Sequence, residues 1–371
     1  MKKLLLSLLF IFFQFLSFAQ NPPLSENASV SIFTCGRGNE LYTTFGHTAI
    51  RIKDDANNLD VVYNYGAFDF RAPNFYLKFV KGDLQYFINA TSYEDFIVEY
   101  YNENREVVEQ TLNLSRIKKQ ELFEKLNASL FSEERNYTYK FIDKNCTTMV
   151  VDKVNETVGT DLIKKVDDTT ISYRTLLYPF FENHFYYKLG INIIFGAKTD
   201  SKAEKLFLPV ELMHSLDKAV VNGKPLITTK EVIVKGSPLE SGFSFMNSIY
   251  FIALLLLIIV AINKRVVTFT YIFIIGLLGL FFCLVGLYSL HEELLWNYNA
   301  LLFNPLFLIL PFLNGKWFKN LLLVSTIMLL IYFGVMIGKP HFVLMLPFMF
   351  AHGFILLRLL KDYKKTQKLI N

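Results

Sequence analysis

Most of the residues that enzyme motifs are built from are scarce in this chain. It has three cysteines, two tryptophans and six histidines in 371 residues. No paired C-x-x-C, no G-x-x-x-x-G-K-S/T loop and no G-x-G-x-x-G run occurs, which removes the usual zinc-ribbon, P-loop and dinucleotide signatures. "HEELL" at 291 starts like a zinc-peptidase motif but lacks the second histidine. "CGRG" (35–38) is glycine-rich, yet no phosphate-binding Lys-Ser/Thr follows it. Asn-x-Ser/Thr triplets such as Asn145-Cys146-Thr147 carry little weight in so Asn-rich a chain. Net charge is only +5, too little for a nucleic-acid footprint. Internal repeats, heptad runs and low-complexity segments are missing as well.

Hydrophobic sequence is abundant but unevenly placed. Lys2 and Lys3, the apolar run from Leu4 to Phe13 and the small-residue site Ser17-Phe18-Ala19 read as a secretory signal peptide over 1–19. Residues 20–242 are mixed, with charges scattered among many Tyr, Phe and Asn, and residues 243–371 are overwhelmingly apolar. Within the latter, apolar stretches recur near 246–262, 267–289, 301–313, 321–337 and 341–360, the pattern of a helical membrane domain of about five spans. Several are shorter than a full span, and Pro305, Pro311 and Pro347 predict kinked or partly re-entrant helices. Export of residues 20–242 would put Lys264, Arg265, Lys316, Lys319 and the tail "KDYKKTQK" inside, and His291-Glu292-Glu293 and Gly338-Lys339-Pro340 outside, in agreement with the positive-inside rule.

The exported part reads as α+β. "TTFGHTAIRIKD" (43–54) and "DVVYNYGAFDF" (60–70) alternate as a hairpin around an Asn-rich turn. A strand turning helical is expected over 86–101, and strands over 105–114, 137–141 and 225–236. Ser115 is placed to cap a helix whose apolar face holds Ile117, Leu122, Leu126 and Leu130. A second helix opens after Asn145, presents Met149, Val150, Val154 and Val158 on one face and ends at Gly159. The aromatic run 178–197 fits either domain core or a surface resting on the bilayer.

One constellation carries chemistry. A thiol becomes a nucleophile where a helix N-terminus or an imidazole lowers its pKa. Cys146 sits at a helix start, and His47 lies on a strand, sharing one face with Ala49 while Thr48 and Ile50 share the other. Asn145 and the Cys146 N–H are candidate oxyanion donors. Two other readings of Cys146 stay open: a disulfide to Cys35, which an oxidising compartment permits, or a buried thiol. Cys283 lies in an apolar span and reads as packing.

At these residues a family pattern emerges. "TCGRGNELYTTFGHTAIRI" (34–52), "VYNYGAFDF" (62–70), "NFYLKFVKGDLQYF" (74–87), "YKFIDKNCTTMVVD" (139–152), "SYRTLLYPFF" (172–181) and "LFLPVELMHSLDKA" (206–219) resemble the periplasmic domain of Lnb-type lipoprotein N-acyltransferases. "LHEELLWNYNALLFNPLFL" (290–308) is similar to that family's membrane part. A strand His followed 99 positions later by "NC" at a helix start also resembles permuted papain-like (NlpC/lecithin:retinol acyltransferase-like) folds, a class that often handles acyl groups.

The resemblance implies a multi-pass protein of the bacterial inner (cytoplasmic) membrane with its catalytic domain in the periplasm. It implies Cys146 as nucleophile and His47 as base, a phospholipid acyl donor, the N-terminal amine of a diacylglyceryl lipoprotein as acceptor, and no metal or nucleotide cofactor. Asn64 and Asp69 are the candidates to orient His47, and Tyr63 and Tyr65 to donate to an oxyanion. His291, Glu292, Asn297 and Asn299 are weighed between binding substrate and anchoring at the interface. Arg51 and Arg174 are weighed between a lipid phosphate and solvated surface charge. Two competing functions are a membrane-tethered cysteine amidase or peptidase acting on cell-wall peptides, and a non-catalytic envelope interaction module.

Overall fold

Alternation of apolar and polar residues builds a seven-stranded antiparallel sheet. The computed structural model describes residues 23–159, 161–182, 184–237 and 242–370, so the expected signal peptide at 1–19 lies outside the described residues. The sheet strands are β1 (Ser29–Cys35), β2 (His47–Asp54), β3 (Leu59–Ala67), β4 (Gln85–Ser92), β5 (Val107–Leu112) and β6 (Asn136–Thr138). A two-residue ladder of β7 (Val220–Val221) and β8 (Lys224–Pro225) precedes the last strand, β9 (Ile227–Val234). The order β6-β4-β3-β2-β1-β5-β9 puts the hairpin strands β2 and β3 near the middle. Asn58, in the left-handed conformation that Asn tolerates, closes their turn. The register pairs Ala49 with Asn64 and Cys35 with His47.

Two layers of helices cover the sheet. α1 (Phe75–Lys81) and α2 (Tyr93–Asn102) flank β4, and α3 (Arg116–Phe131) follows β5. Ser115 caps α3 by accepting from the Lys118 N–H. Leu122 and Leu126 are buried as expected, but Ile117, assigned to the same face, is exposed because the helix meets the sheet only from its second turn on. α4 (Cys146–Val158) follows, ending at Gly159 with φ 81°. Val150 and Val154 are fully buried against Ile50 and Tyr63, each contributing about 1.5–3 kcal/mol by burial. α5 (Tyr173–Leu177), α6 (Phe185–Ile194) and α7 (Pro209–Lys218) complete this part. A second core lies on the sheet's other face, where Phe33, Cys35 and Ala49 meet Phe96 and Tyr100 of α2.

The apolar C-terminal part holds α8 (Ile249–Ile262), α9 (Arg265–Tyr288), α10 (Gly315–Met336) and α11 (Phe342–Ile370). Against the five spans expected, three helices among the described residues are long and apolar enough to cross a membrane, α9, α10 and α11, and a bent pair of short helical segments over 292–312 makes four if it is counted as one broken span. α8 has only 14 residues, about 21 Å of rise against roughly 30 Å of hydrocarbon. Residues 292–312 form short turns bent by 59° rather than one helix. Pro305 and Pro311 each start such a turn, and Gly276 and Gly279 of α9 lie so close to the backbone of residues 303–308 that a Cβ at Gly279 would collide with the Phe303 carbonyl. Asn304 supplies hydrogen bonds that the broken backbone lacks, accepting from the Leu306 N–H and donating to Ser325. Pro347, by contrast, is accommodated within α11.

The loop ends of the apolar part fall into two groups. Glu292 meets Lys140 and Lys198 of the sheet domain, and Lys339 meets its Asp200 at 2.7 Å. Asn263, Arg265, Asn314 and Asp362 cluster together instead around one cavity. The aromatic run 178–197 divides between two cores: Phe180 and Phe181 pack within the sheet domain, while Leu189 of α6 packs into the core of the apolar helices.

Candidate active site

Glycines set the placement of the two reactive side chains. Gly46, at φ 81°, lies against the Cys35 carbonyl where no Cβ fits, and it turns the chain so that β2 begins at His47. Gly66, at φ 98°, presents a bare backbone to Cys146; a Cβ there would sit 3.7 Å from the cysteine Cβ. α4 starts between these points, tied to β2 by a 3.1 Å hydrogen bond between the buried Thr48 and Thr147 hydroxyls.

His47 lies against the half-buried Cys146 thiol, near enough for its charge to act on the sulfur, as is the Thr48 backbone N–H, and the Thr147 hydroxyl stands 4.0 Å from it. On the far side of the ring, His47 Nε2 lies 3.2 Å from Asn64 Oδ1. With Nε2 donating to the amide oxygen, Nδ1 is left for the thiol. Burial opposes ionisation of Cys146, but the His47 charge, its hydrogen bond and those from Thr48 and Thr147 outweigh it, so the thiol lies below its ordinary pKa. Burial likewise pushes His47 down, and the Cys146 charge with the hydrogen bonds to Cys146 and Asn64 raises it overall. The two shifts are of opposite sign, each group favouring the charged form of the other. The N–H groups of Cys146 and Thr147, at the positive end of α4, have no acceptor among the described residues.

Cys35 is the contrast. It is a free, fully buried thiol beside Tyr100, pushed up to about 12 chiefly by burial. All three cysteines are free, so the disulfide reading is not what the structure holds.

Several expected roles change. Asn145 is the N-cap of α4: its Oδ1 accepts from the Thr148 N–H, and its Nδ2 donates at 2.9 Å to both the Phe141 and Phe207 carbonyls. Both amide hydrogens are consumed, leaving none for an oxyanion. Asp69 lies beyond the end of β3, exposed and paired with Arg71, so Asn64 alone of the two candidates touches His47. Tyr63 donates to Asn127 in the core, and the Tyr65 ring is buried against Tyr137.

The two candidate phosphate ligands are also internal. Arg51 pairs with Asp60 and Glu109 and stacks 3.5 Å over Tyr93. Arg174, 2% exposed, is used up by Asp200, Asn192 and the Phe195 and Gly196 carbonyls. The outer-loop residues join the two parts of the chain. His291 Nε2 donates to the Phe79 carbonyl, Asn297 donates to those of Ile193 and Ile194, and Asn299 donates to those of Asn192 and Ile193 while accepting from Tyr332. Glu292 binds Lys198, which also pairs with Asp143 three residues before the thiol. Buried Glu293 accepts from the Ile142 N–H.

Sequence reasoning missed Thr48, Thr147 and Tyr139. The Thr-Thr pairing across 99 positions had no local signal, whereas the strand-like spacing of Tyr137 and Tyr139 just before "NC" was a usable one. "CGRG" proves structural, with Arg37 donating to the Pro179 and Phe180 carbonyls. Among the described residues, no three His, Cys, Asp or Glu side chains converge into a group able to hold a metal ion.

Comparison with known families agrees with this outline. Residues 20–177, less than half of the chain, match the family model described as the Lnb N-terminal periplasmic domain; together with the long apolar helices this supports a membrane protein with a periplasmic domain. The similar stretches at 206–219 and 290–308 lie outside that range. Neither curated proteins nor solved structures yield a significant match to the chain.

Proposed function

We propose that the protein is an N-acyltransferase that moves a fatty acyl chain from a phospholipid, through a Cys146 thioester, to the N-terminal amine of a lipidated lipoprotein cysteine. The observation that carries this reading is the Cys146–His47–Asn64 line at the start of α4, in a domain matching the Lnb family and fastened to membrane helices. A strand His preceding the helix-start Cys fits a permuted papain-like fold.

In the first half-reaction the thiolate attacks the donor ester carbonyl, and the C–S bond forms as the carbonyl π electrons move to oxygen. The unpaired N–H groups of Cys146 and Thr147 supply donors for that oxyanion. As the tetrahedral species collapses, the ester C–O bond breaks, and His47 gives its proton to the departing lysophospholipid oxygen. In the second half-reaction the acceptor amine attacks the thioester and loses a proton to His47. The C–S bond then breaks, restoring thiolate and imidazolium. Asn64 holds the ring in one orientation throughout. The energy of the donor ester suffices for both steps. The aromatic surroundings of the thiol suit a hydrocarbon chain better than the polar groove a cell-wall peptide would need.

Mass spectrometry of lipoproteins from cells depleted of this protein tests the proposal. The expected result is a free N-terminal amine, lighter by one acyl chain. Fully N-acylated lipoproteins after depletion would refute it.

A further inference from the structure

α1 buries none of its residues, and Tyr76 and Leu77 are 78% and 64% exposed. An apolar patch of this kind on a water-facing surface marks an interaction site. Its position identifies the partner. The last turn of α1 is hydrogen-bonded to the outer end of membrane helix α9, where the Leu290 N–H meets the Lys81 carbonyl at 2.7 Å and Ser289 Oγ meets that of Val80 at 2.8 Å. The next residue, His291, bonds the Phe79 carbonyl at 2.9 Å. α9 also exposes Leu284 and Leu287 near that end. The apolar face of α1 thus continues the lipid-facing surface of α9 at the level where aromatic side chains favour the membrane interface.

Rings lead from this patch to the core against which Cys146 packs. Phe75 stands 5.1 Å from Phe70, Phe70 4.8 Å from Phe68, Phe68 5.2 Å from Tyr86, and Tyr86 stacks 4.4 Å from Tyr139. Tyr139 and Cys146 pack against the same core.

We propose that α1 and the Phe68–Phe70 turn lie in the outer interface of the membrane, and that the rings from Phe75 to Tyr139 form a track along which one hydrocarbon chain of a membrane lipid reaches Cys146. The chain-delivery half rests on the acyl-transfer reading; the membrane contact does not.

The test uses the full chain with Tyr76→Trp, carrying Trp296→Phe and Trp317→Phe so that one indole reports. It is reconstituted in phosphatidylethanolamine/phosphatidylglycerol vesicles with plain or brominated acyl chains. Blue-shifted emission that is lost in the brominated vesicles is expected. Red, unquenched emission overturns the membrane contact. Blue-shifted emission that bromine does not quench also overturns it, and puts a protein surface such as a second copy there instead.

A second arm compares wild type with Phe70→Ser. Transfer from a long-chain phospholipid to Cys146 should fall roughly tenfold, the size of a lost apolar contact in a pocket, while alkylation of Cys146 by iodoacetamide is unchanged. Equal loss of both, or no loss of transfer, overturns the track. If wild type itself acquires no acyl group, the acyl-transfer reading and chain delivery fail together, and the bromine result still decides the membrane contact.

Discussion

Cys35 and Cys146 face the same compartment, and their surroundings give them opposite chemistry. Cys35 is enclosed by Phe33, Ala49 and Tyr100, so burial leaves it protonated at neutral pH. Cys146 is buried to a lesser degree and has His47 against it. The sign of the pH dependence follows. A depressed thiol pKa keeps Cys146 ionised at pH values where an ordinary thiol, near 8.5, is protonated, and reactivity is lost only as pH falls through the lowered value. The raised His47 pKa keeps the imidazolium as pH rises, until that value is passed. His47→Ala removes the counter-charge and leaves burial in control, so the thiol pKa rises and alkylation becomes confined to alkaline pH. At pH 7 the iodoacetamide rate of the His47→Ala protein should drop about tenfold for each unit of that shift, with Cys35→Ser matching wild type. An unchanged profile in His47→Ala would separate the two residues.

At the scale of elements, the nucleophile is only as well placed as the start of α4. Asn145 ties three pieces of chain together: the first turn of α4, the carbonyl of Phe141 and the carbonyl of Phe207. Asn145→Ala removes the cap and strands two carbonyls. Losses of about 1 kcal/mol for the cap and a similar amount for each buried hydrogen bond are expected, read as a lower midpoint in thermal unfolding. Asn145→Ser should keep the cap and lose only the Nδ2 bonds, giving an intermediate midpoint. The cap itself was legible, because "NCTT" ahead of an apolar face is a helix-start signal. Its second duty was not, because Phe207 lies 62 residues away. The hairpin, Ser115 and the face carrying Val150 and Val154 were legible for the same local reasons. Arg51 and Arg174 were misread as candidate phosphate ligands since their acidic partners arrive only through sheet pairing and folding of 174–200. Residues 292–312 defeated a span count because two prolines and close packing on Gly276 and Gly279 replace a helix with turns.

Across the whole molecule, the two parts are joined at the chemistry rather than by a linker alone. The loop entering Cys146 is held by the outer loop of the membrane part, through Glu292, Lys198 and Asp143 and through Glu293 to Ile142. Asp200 receives Lys339 from one side and Arg174 from the other. Polar residues that the sequence offered as substrate ligands therefore act as fasteners, holding the loop that carries the thiol against the apolar helical part. Such an arrangement suits a reaction whose donor lies in the membrane. The central claim is that Cys146 carries an acyl chain, and the most direct measurement is mass spectrometry of the full-length protein incubated with phospholipid vesicles before and after hydroxylamine. The account predicts one fatty acyl group on the peptide containing Cys146, removed by hydroxylamine and missing in Cys146→Ser. A Cys146 peptide that stays unmodified while lipoproteins in the same vesicles become N-acylated would contradict it.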